Sequence, residues 1–343
     1  MSKITRFWLL AFLVAFPFGR LTLLPDICVV GLLFSWLLGW RSWHRGVKPE
    51  LLKSIWFFLL ACLPSLIGHF SWPGLFYWLR LAAYCQLYWV VADLKGNYRQ
   101  CLLAAGIGAA AFGLTQYCLW PDLRLATIWG WDPHYFRAVG TFFDPNFLGI
   151  ILVLTLVLLF EQPSWFGFSF TYLVLALTYS RSAFLAFLTA AAVKKNLKVF
   201  LAAGLLLGLT VLVLPQGAGG EGVKLTRTRT LWARWENYQQ AFTLISQNFF
   251  WGTGFQTRRV DNSFLFIWAN AGLFSFLAFL YLLKQIASQA QKKFFLTASL
   301  AAIFVDSFFV NAFFYPPVLA WLMISLGSRL TLARSGYRPR PEQ

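Results

Sequence analysis

The stretch KLTRTRTLWARWENYQQAF (Lys224–Phe242) continues as ISQNFFWGTGFQTRRVDNS (Ile245–Ser263) and ends in FLFIWANAGLFSFL (Phe264–Leu277). It is the only long polar interruption in an apolar chain. Six basic residues lie in it (Lys224, Arg227, Arg229, Arg234, Arg258, Arg259) against two acidic ones, Glu236 and Asp261. Everything before and after it reads as membrane scaffold, which makes this segment the candidate working surface.

Composition supports the scaffold. The 343 residues are 59% hydrophobic and 12% charged, with mean hydropathy +0.63. Soluble domains carry about 25% charged residues, so the chain reads as an all-α, polytopic transmembrane helix bundle rather than a soluble protein with a very large core. The net charge of +17 would suggest nucleic acid in a soluble protein. In a membrane protein it reports topology first, because Lys and Arg collect on the cytoplasmic side, and no nucleic-acid partner is expected. The five cysteines lie in or beside apolar runs without CxxC spacing, so they read as small hydrophobes. The three histidines (His44, His69, His134) form no ligand cluster, and neither a metal nor a cofactor is expected. Lys3 and Arg6 precede the first apolar run, but no small-residue cleavage site follows, so that run reads as an uncleaved span.

The apolar runs suggest about 12 spans, near 7–20, 26–40, 51–68, 75–92, 100–119, 146–161, 165–179, 182–193, 199–214, 263–283, 294–311 and 317–332. The runs at 165–179 and 182–193 fall short of the roughly 20 residues a span needs and read as a broken pair meeting at Ser180–Arg181. The whole chain, 1–343, is then one integral membrane domain, with 215–262 a larger outer loop between spans nine and ten. With a cytoplasmic N-terminus, 18 of the 29 basic residues fall on inside segments, ten fall outside, and Arg80 lies within a span. Both termini are then cytoplasmic. Six of the ten outer basics belong to the Lys224–Asp261 loop; the others are Arg20, Arg124, Arg137 and Arg181. Topology does not explain a basic outer surface. An anionic partner does, and so does snorkelling to membrane lipid headgroups.

Three motifs carry candidate chemistry. RAVGTFFDPN (Arg137–Asn146) precedes a long apolar run; Asp144 fits a helix cap and Pro145 a first helical position, whereas a cap requires neither Arg137 nor Gly140. In LTYSRSAFLAF, Arg181 stands between two apolar helices. An arginine at that depth faces a polar cavity or a partner: a phosphate, which its planar fork matches, or a carboxylate such as Asp306. In the loop, RTRTLWARW starts an amphipathic helix that runs to about Ser246. Trp232, Trp235, Tyr238 and Phe242 recur on it at helical spacing, as on a helix lying on a membrane surface. The glycines of WGTG mark a sharp turn. Asp261 reads either as the cap of the next span or as a carboxylate base in an arginine-rich pocket. Two charges remain inside spans, Arg80 and Asp306, and they either function or pair with each other.

In order, Arg-x-x-Gly-x-Phe…Pro-Asn, Thr-x-Ser-Arg, then Arg…Trp…Gly-x-Gly…Asn-x-x-Leu…Gly-Leu resemble the bacterial O-antigen ligase and polysaccharide polymerase superfamily. The resemblance runs from Arg137 to about Leu280. It implies a metal-independent glycosyltransferase on the outer face of the bacterial inner membrane. The donor would be an undecaprenyl-pyrophosphate-linked glycan, and the acceptor a hydroxyl on a glycan, lipid or protein. Carried over by motif, the Ser-Arg arginine is Arg181, and the loop arginine before Trp is Arg229, or Arg227 by a small slip. The ligases have His-Asn where this chain has Asp261-Asn262, and Asp-Asn-Ser looks more like the polymerases. The expected catalytic residues are therefore Asp261, Arg181 and Arg229. The expected substrate contacts are Arg137, Arg227, Asn262, Arg234 and Arg80. Inverting transfer asks the arginines to hold the leaving pyrophosphate by preorganised charge and Asp261 to activate the acceptor hydroxyl. Two other classes stand beside this one: a transporter or flippase of an anionic lipid-linked substrate, and a binding relative without activity.

Overall fold

A computed structural model describes residues 3–19, 21–38, 49–129, 131, 134–214, 223–225, 227–255, 260–291 and 293–328. The described residues form an all-helical protein, and their only β pairing is the isolated bridge between Asp122 and Tyr135. The helices are α1 (Lys3–Ala15), α2 (Leu24–Leu37), α3 (Pro49–Ala61), α4 (Leu63–Gly68), α5 (Trp72–Leu94), α6 (Arg99–Leu119), α7 (Pro145–Leu159), α8 (Trp165–Leu177), α9 (Arg181–Val193), α10 (Leu197–Val213), α11 (Arg229–Gln247), α12 (Ser263–Ala290), α13 (Phe294–Asp306) and α14 (Pro316–Gly327).

Their starts follow from local chemistry. A side-chain oxygen accepts a backbone N–H of the first turn at Ser71, Asp144, Ser164, Ser180, Asn196 and Asn262, which satisfies donors a helix leaves unpaired. Asp144 is thus the cap its sequence suggests, accepting from Asn146 N–H at 2.6 Å. Asp261 is not a cap. That position falls one residue later, at Asn262, which accepts from the N–H groups of Phe264 and Leu265.

Two helices form the centre. α7 (PNFLGIILVLTLVLL) is apolar all round and buried from Leu148 to Leu159, and α14 is buried from Pro317 to Gly327. A helix without a polar face needs neighbours on every side. α7 has α6, α8, α9 and α13 around it, and α14 packs mainly on α5. The perimeter is as apolar as the centre: Phe34 on α2, Phe57 on α3, Phe166 on α8 and Leu205 on α10 are all exposed. Water disfavours so continuous an apolar coat, and hydrocarbon accepts it. Among the described residues, three helices are long and apolar enough to cross a membrane, namely Pro49–Gly68 (α3 with α4), Arg99–Leu119 and Ser263–Ala290. Seven further apolar helices have 10–17 residues, less than the roughly 20 that a 30-Å core asks of an untilted helix.

The tenth expected span is not one continuous helix. At Gly272 the backbone turns to φ 81°, ψ 178°, splitting α12 in two. The WGTG turn fills the break. Thr253 N–H donates to the Ala269 carbonyl and Gly254 N–H to the Asn270 carbonyl, both at 2.9 Å, and Leu273 N–H donates back to the Phe249 carbonyl at 3.0 Å. The carbonyls freed by the kink are satisfied in this way, as buried backbone requires. A Cβ on Gly272 would stand 2.1 Å from the Phe250 carbonyl oxygen, and one on Gly252 2.4 Å from that of Asn270, so the approach depends on glycine at both positions.

The bundle has two unlike ends. One has tight connections, where Arg99 pairs with Glu161 at 2.6 Å and Lys194 donates to the Phe160 carbonyl at 3.1 Å. At the other end the long connections meet. Thr141 donates its hydroxyl to the Pro17 carbonyl, Ala138 N–H reaches the Leu177 carbonyl, and Ser263 N–H reaches the Ser307 carbonyl. The candidate site lies at this second end.

Candidate active site

The site is built on the three-residue turn between α8 and α9. Thr178 ends α8, Tyr179 takes the left-handed conformation with φ 51°, and Ser180 caps α9. Left-handed backbone is uncommon for a residue with a Cβ. Here it turns two successive carbonyls outward at the C-terminal end of α8, where partial negative charge collects, and arginines take both. Arg137 Nε donates to the Thr178 carbonyl at 2.7 Å, and Arg227 Nη2 donates to the Tyr179 carbonyl at 3.1 Å. Both arginines are buried, at 2% and 8% exposure.

Arg181, the first residue of α9, points the other way. Its Nη1 donates to the carbonyls of Leu225 and Arg227 at 3.3 and 3.0 Å, and its Nη2 to the Thr230 hydroxyl at 2.7 Å. Arg181 therefore fixes the segment that leads into α11 and carries Arg227. Arg234, one turn into α11, completes the group. Its guanidinium lies 5.8 Å from the centroid of the Phe309 ring. Among the described residues it makes neither a hydrogen bond nor an ion pair, and Arg181 makes no ion pair.

The cations repel one another. Burial and then the charges of Arg181 and Arg234 hold the Arg227 guanidinium below its ordinary range, at about 10. Buried cations that lower one another's proton affinity form a site that an anion relieves. Arg181 and Arg227 spend their Nη groups on protein carbonyls and the Thr230 hydroxyl and contribute charge, while the Arg234 fork, which makes no hydrogen bond among the described residues, suits a phosphate or pyrophosphate.

Beneath this group lies a carboxylate. Asp306, at the end of α13, is fully buried. Neither of its oxygens makes a well-formed hydrogen bond among the described residues, although the Ser182 hydroxyl and the Arg234 cation are its neighbours. Ser182 lies 3.2 Å from the Ser180 hydroxyl, which donates to Asn146 Oδ1 at 2.8 Å. A polar chain thus crosses α7, α9 and α13 below the arginines. The sequence offers Asp306 as a partner of Arg181 or of Arg80; the structure places it beside Ser182 and Arg234 instead.

α11 covers the group. Its Arg234, Tyr238, Ala241 and Ile245 turn toward the bundle, while Leu231, Trp232, Trp235 and Phe242 form an exposed apolar edge. Tyr238, expected on that edge, faces inward instead and donates its hydroxyl to the Phe308 carbonyl. The other three aromatics make the edge of an interfacial helix.

The remaining expected residues divide. Asp261 is exposed at the rim, its N–H donating to Asn237 Oδ1 on α11 at 2.9 Å. Asn262, expected to bind substrate, has its side chain engaged: Oδ1 caps α12 and Nδ2 donates to the Phe308 carbonyl at 3.3 Å. Arg80 does not join the group and does not pair with Asp306. It pairs with Asp26 on α2 at 2.8 Å, and the same Asp26 oxygen accepts the Tyr84 hydroxyl at 2.8 Å. Arg181 does not pair with Asp306 either. Arg229 begins α11, and its side chain lies outside the described residues, as do Arg20, Arg258, Arg259 and loop positions 215–222.

The sequence matches no protein-family model and no curated protein.

Proposed function

We propose that the protein is a membrane glycosyltransferase of the O-antigen ligase or polymerase type. It transfers a glycan from an undecaprenyl-pyrophosphate donor to an acceptor hydroxyl at the outer face of the bacterial inner membrane. The observation that carries this reading is the convergence of Arg181, Arg227 and Arg234 at one end of an apolar helical bundle, with Arg234 in neither a hydrogen bond nor an ion pair among the described residues and Asp306 as its neighbouring carboxylate. A pyrophosphate leaving group gains negative charge as the glycosidic bond breaks, and fixed cations in a partly dry site stabilise that charge without rearranging. In this reading the arginines neutralise the pyrophosphate where other transferases use a divalent cation. Asp261, exposed at the rim, takes the proton of an acceptor hydroxyl arriving from water. The transfer inverts the anomeric carbon, because the acceptor enters opposite the bound pyrophosphate. Twelve crossings with both termini cytoplasmic put the arginines on the outer side and the short lysine-rich connections inside.

The burial of Asp306 favours a second reading, a transporter or flippase of the same anionic lipid-linked substrate, because intramembrane carboxylates often serve proton-coupled movement. One experiment separates the two. Membranes containing the full chain are given a lipid-pyrophosphate-linked repeat unit in the presence of EDTA. Longer lipid-linked chains identify a polymerase, and units moved to another acceptor identify a ligase. Movement of the intact donor across the bilayer with no new glycosidic bond rejects the enzyme in favour of the transporter.

A further inference from the structure

A large cavity among the described residues lies away from the arginine site. It is a groove of about 830 Å³ between α8 and α10. α8 leans on α6 and α7, whereas α10 packs on α9, so the two diverge and leave a wedge with Phe187 of α9 in its floor. A polar contact bridges the walls, between the Tyr172 and Thr210 hydroxyls at 2.8 Å. Apart from Ser164, Ser169 and Lys194, the rest of the lining is aliphatic and aromatic, from Leu159 and Phe168 to Leu206 and Val213.

The groove is asymmetric along its length. Its mouth at the short-connection end has Trp165, Ser164 and Lys194, and Lys195 and Lys198 stand exposed beside it. Lys194 Nζ lies 5.3 Å from the centroid of the Phe160 ring and 5.6 Å from that of Phe294, so its stem is held against aromatic walls with the ammonium at the opening. The nearby carboxylate, Glu161, is already paired with Arg99 at 2.6 Å. The mouth therefore has three cations and a tryptophan at the edge of an apolar slot. This arrangement matches a molecule with a hydrocarbon body and an anionic head, with lysine and tryptophan at headgroup level.

We propose that this groove is a binding site for an anionic phospholipid of the leaflet facing the lysine-rich end, with acyl chain in the α8–α10 wedge and phosphate on Lys194, Lys195 and Lys198. The proposal rests on the membrane placement above and not on the transfer chemistry, since the mouth lies at the opposite end from Arg181 and Arg234.

The test uses the full-length protein in nanodiscs of equal phosphatidylglycerol and phosphatidylcholine with the same acyl chains. Native mass spectrometry then reads the lipids retained. The wild type is expected to retain phosphatidylglycerol several-fold over phosphatidylcholine. The triple variant Lys194→Gln, Lys195→Gln, Lys198→Gln is expected to bring the ratio close to one without loss of helix content by circular dichroism. Ala202→Trp, which fills the groove from its exposed wall, is expected to remove one bound lipid of either kind. Equal retention by the wild type, or an unchanged preference in the triple variant, overturns the proposal. So does displacement of the retained lipid by undecaprenyl pyrophosphate, which would give the groove to the donor's own tail. Glycan transfer measured on the same samples reports separately on the enzyme reading.

Discussion

Arg227 donates from Nη2 to the carbonyl of Tyr179 at 3.1 Å, and Tyr179 is the one residue of the α8–α9 turn in the left-handed conformation. The turn and the cation specify each other. Without the arginine, a buried helix-end carbonyl would lose a charged donor. Without the left-handed residue, that carbonyl would not face the loop that carries Arg227. The site is therefore set in place before any substrate arrives, which electrostatic catalysis requires.

Arg234 and Arg181 separate binding from scaffolding. Arg234 makes no hydrogen bond to protein among the described residues, so Arg234→Ala should lower glycan transfer by about 10²-fold or more with little change in melting temperature. Arg181 holds Leu225, Arg227 and Thr230. Hydrogen bonds of a charged group contribute about 1.5–3 kcal/mol each, so Arg181→Ala should lose both activity and melting temperature. Transfer assays and thermal unfolding on the same preparations check the contrast. Equal activity in Arg234→Ala and wild type would remove Arg234 from the mechanism.

The depressed value of Arg227 fixes a direction with pH. Its folded-state value of about 10 lies below that of a free guanidinium. Below pH 10 both states are protonated, and the fold bears the cost of the buried cation. Between about pH 10 and the free value the unfolded chain binds more protons, so stability rises with pH there. Inorganic pyrophosphate, by neutralising the site, should raise the melting temperature at pH 7. Its affinity should fall as pH passes about 10, where Arg227 loses its charge. Calorimetric titration across that range reads it directly.

Asp306 is a buried carboxylate without a well-formed hydrogen bond among the described residues. Such a group persists at a cost to stability when it serves a function. Asp306→Asn, nearly isosteric, should reduce transfer at least tenfold while leaving the melting temperature equal to or above that of the wild type. Asp26→Asn should do the reverse. It breaks the pair with Arg80 and the bond from Tyr84, so stability should fall while specific activity of the folded protein stays within about twofold, since neither residue reaches the arginine group. Activity per folded molecule, normalised by size-exclusion chromatography, separates the two classes.

Gly272 stands where two backbone segments approach closely. An alanine there would combine a left-handed φ of 81° with a Cβ 2.1 Å from the Phe250 carbonyl oxygen. Strain alone costs on the order of 1–3 kcal/mol, and the clash adds to it. Gly272→Ala should unfold several degrees lower, or withdraw the WGTG turn from α12. Quenching of Trp251 fluorescence by a water-soluble quencher should then increase.

Local pattern in the chain is enough to read what depends on neighbours a few positions away. These are the apolar class of the chain, the helices and most of their starts, the cap at Asp144, the broken pair meeting at Ser180–Arg181, and the amphipathic helix that starts in RTRTLWARW and runs to about Ser246. Such features follow from period and from side chains that reach their own backbone. Tertiary structure decided which long-range partner each charge takes. Arg80 pairs with Asp26 across 54 positions rather than with Asp306. Asn262, not Asp261, caps α12, and it also holds the Phe308 carbonyl. Tyr238 turns inward although its spacing places it with the exposed tryptophans. Asp306 comes to lie beneath Ser182 and Arg234, and α12 breaks where the WGTG turn supplies the missing donors. In each case the competing partners were chemically equivalent, and the packing of distant segments selected between them.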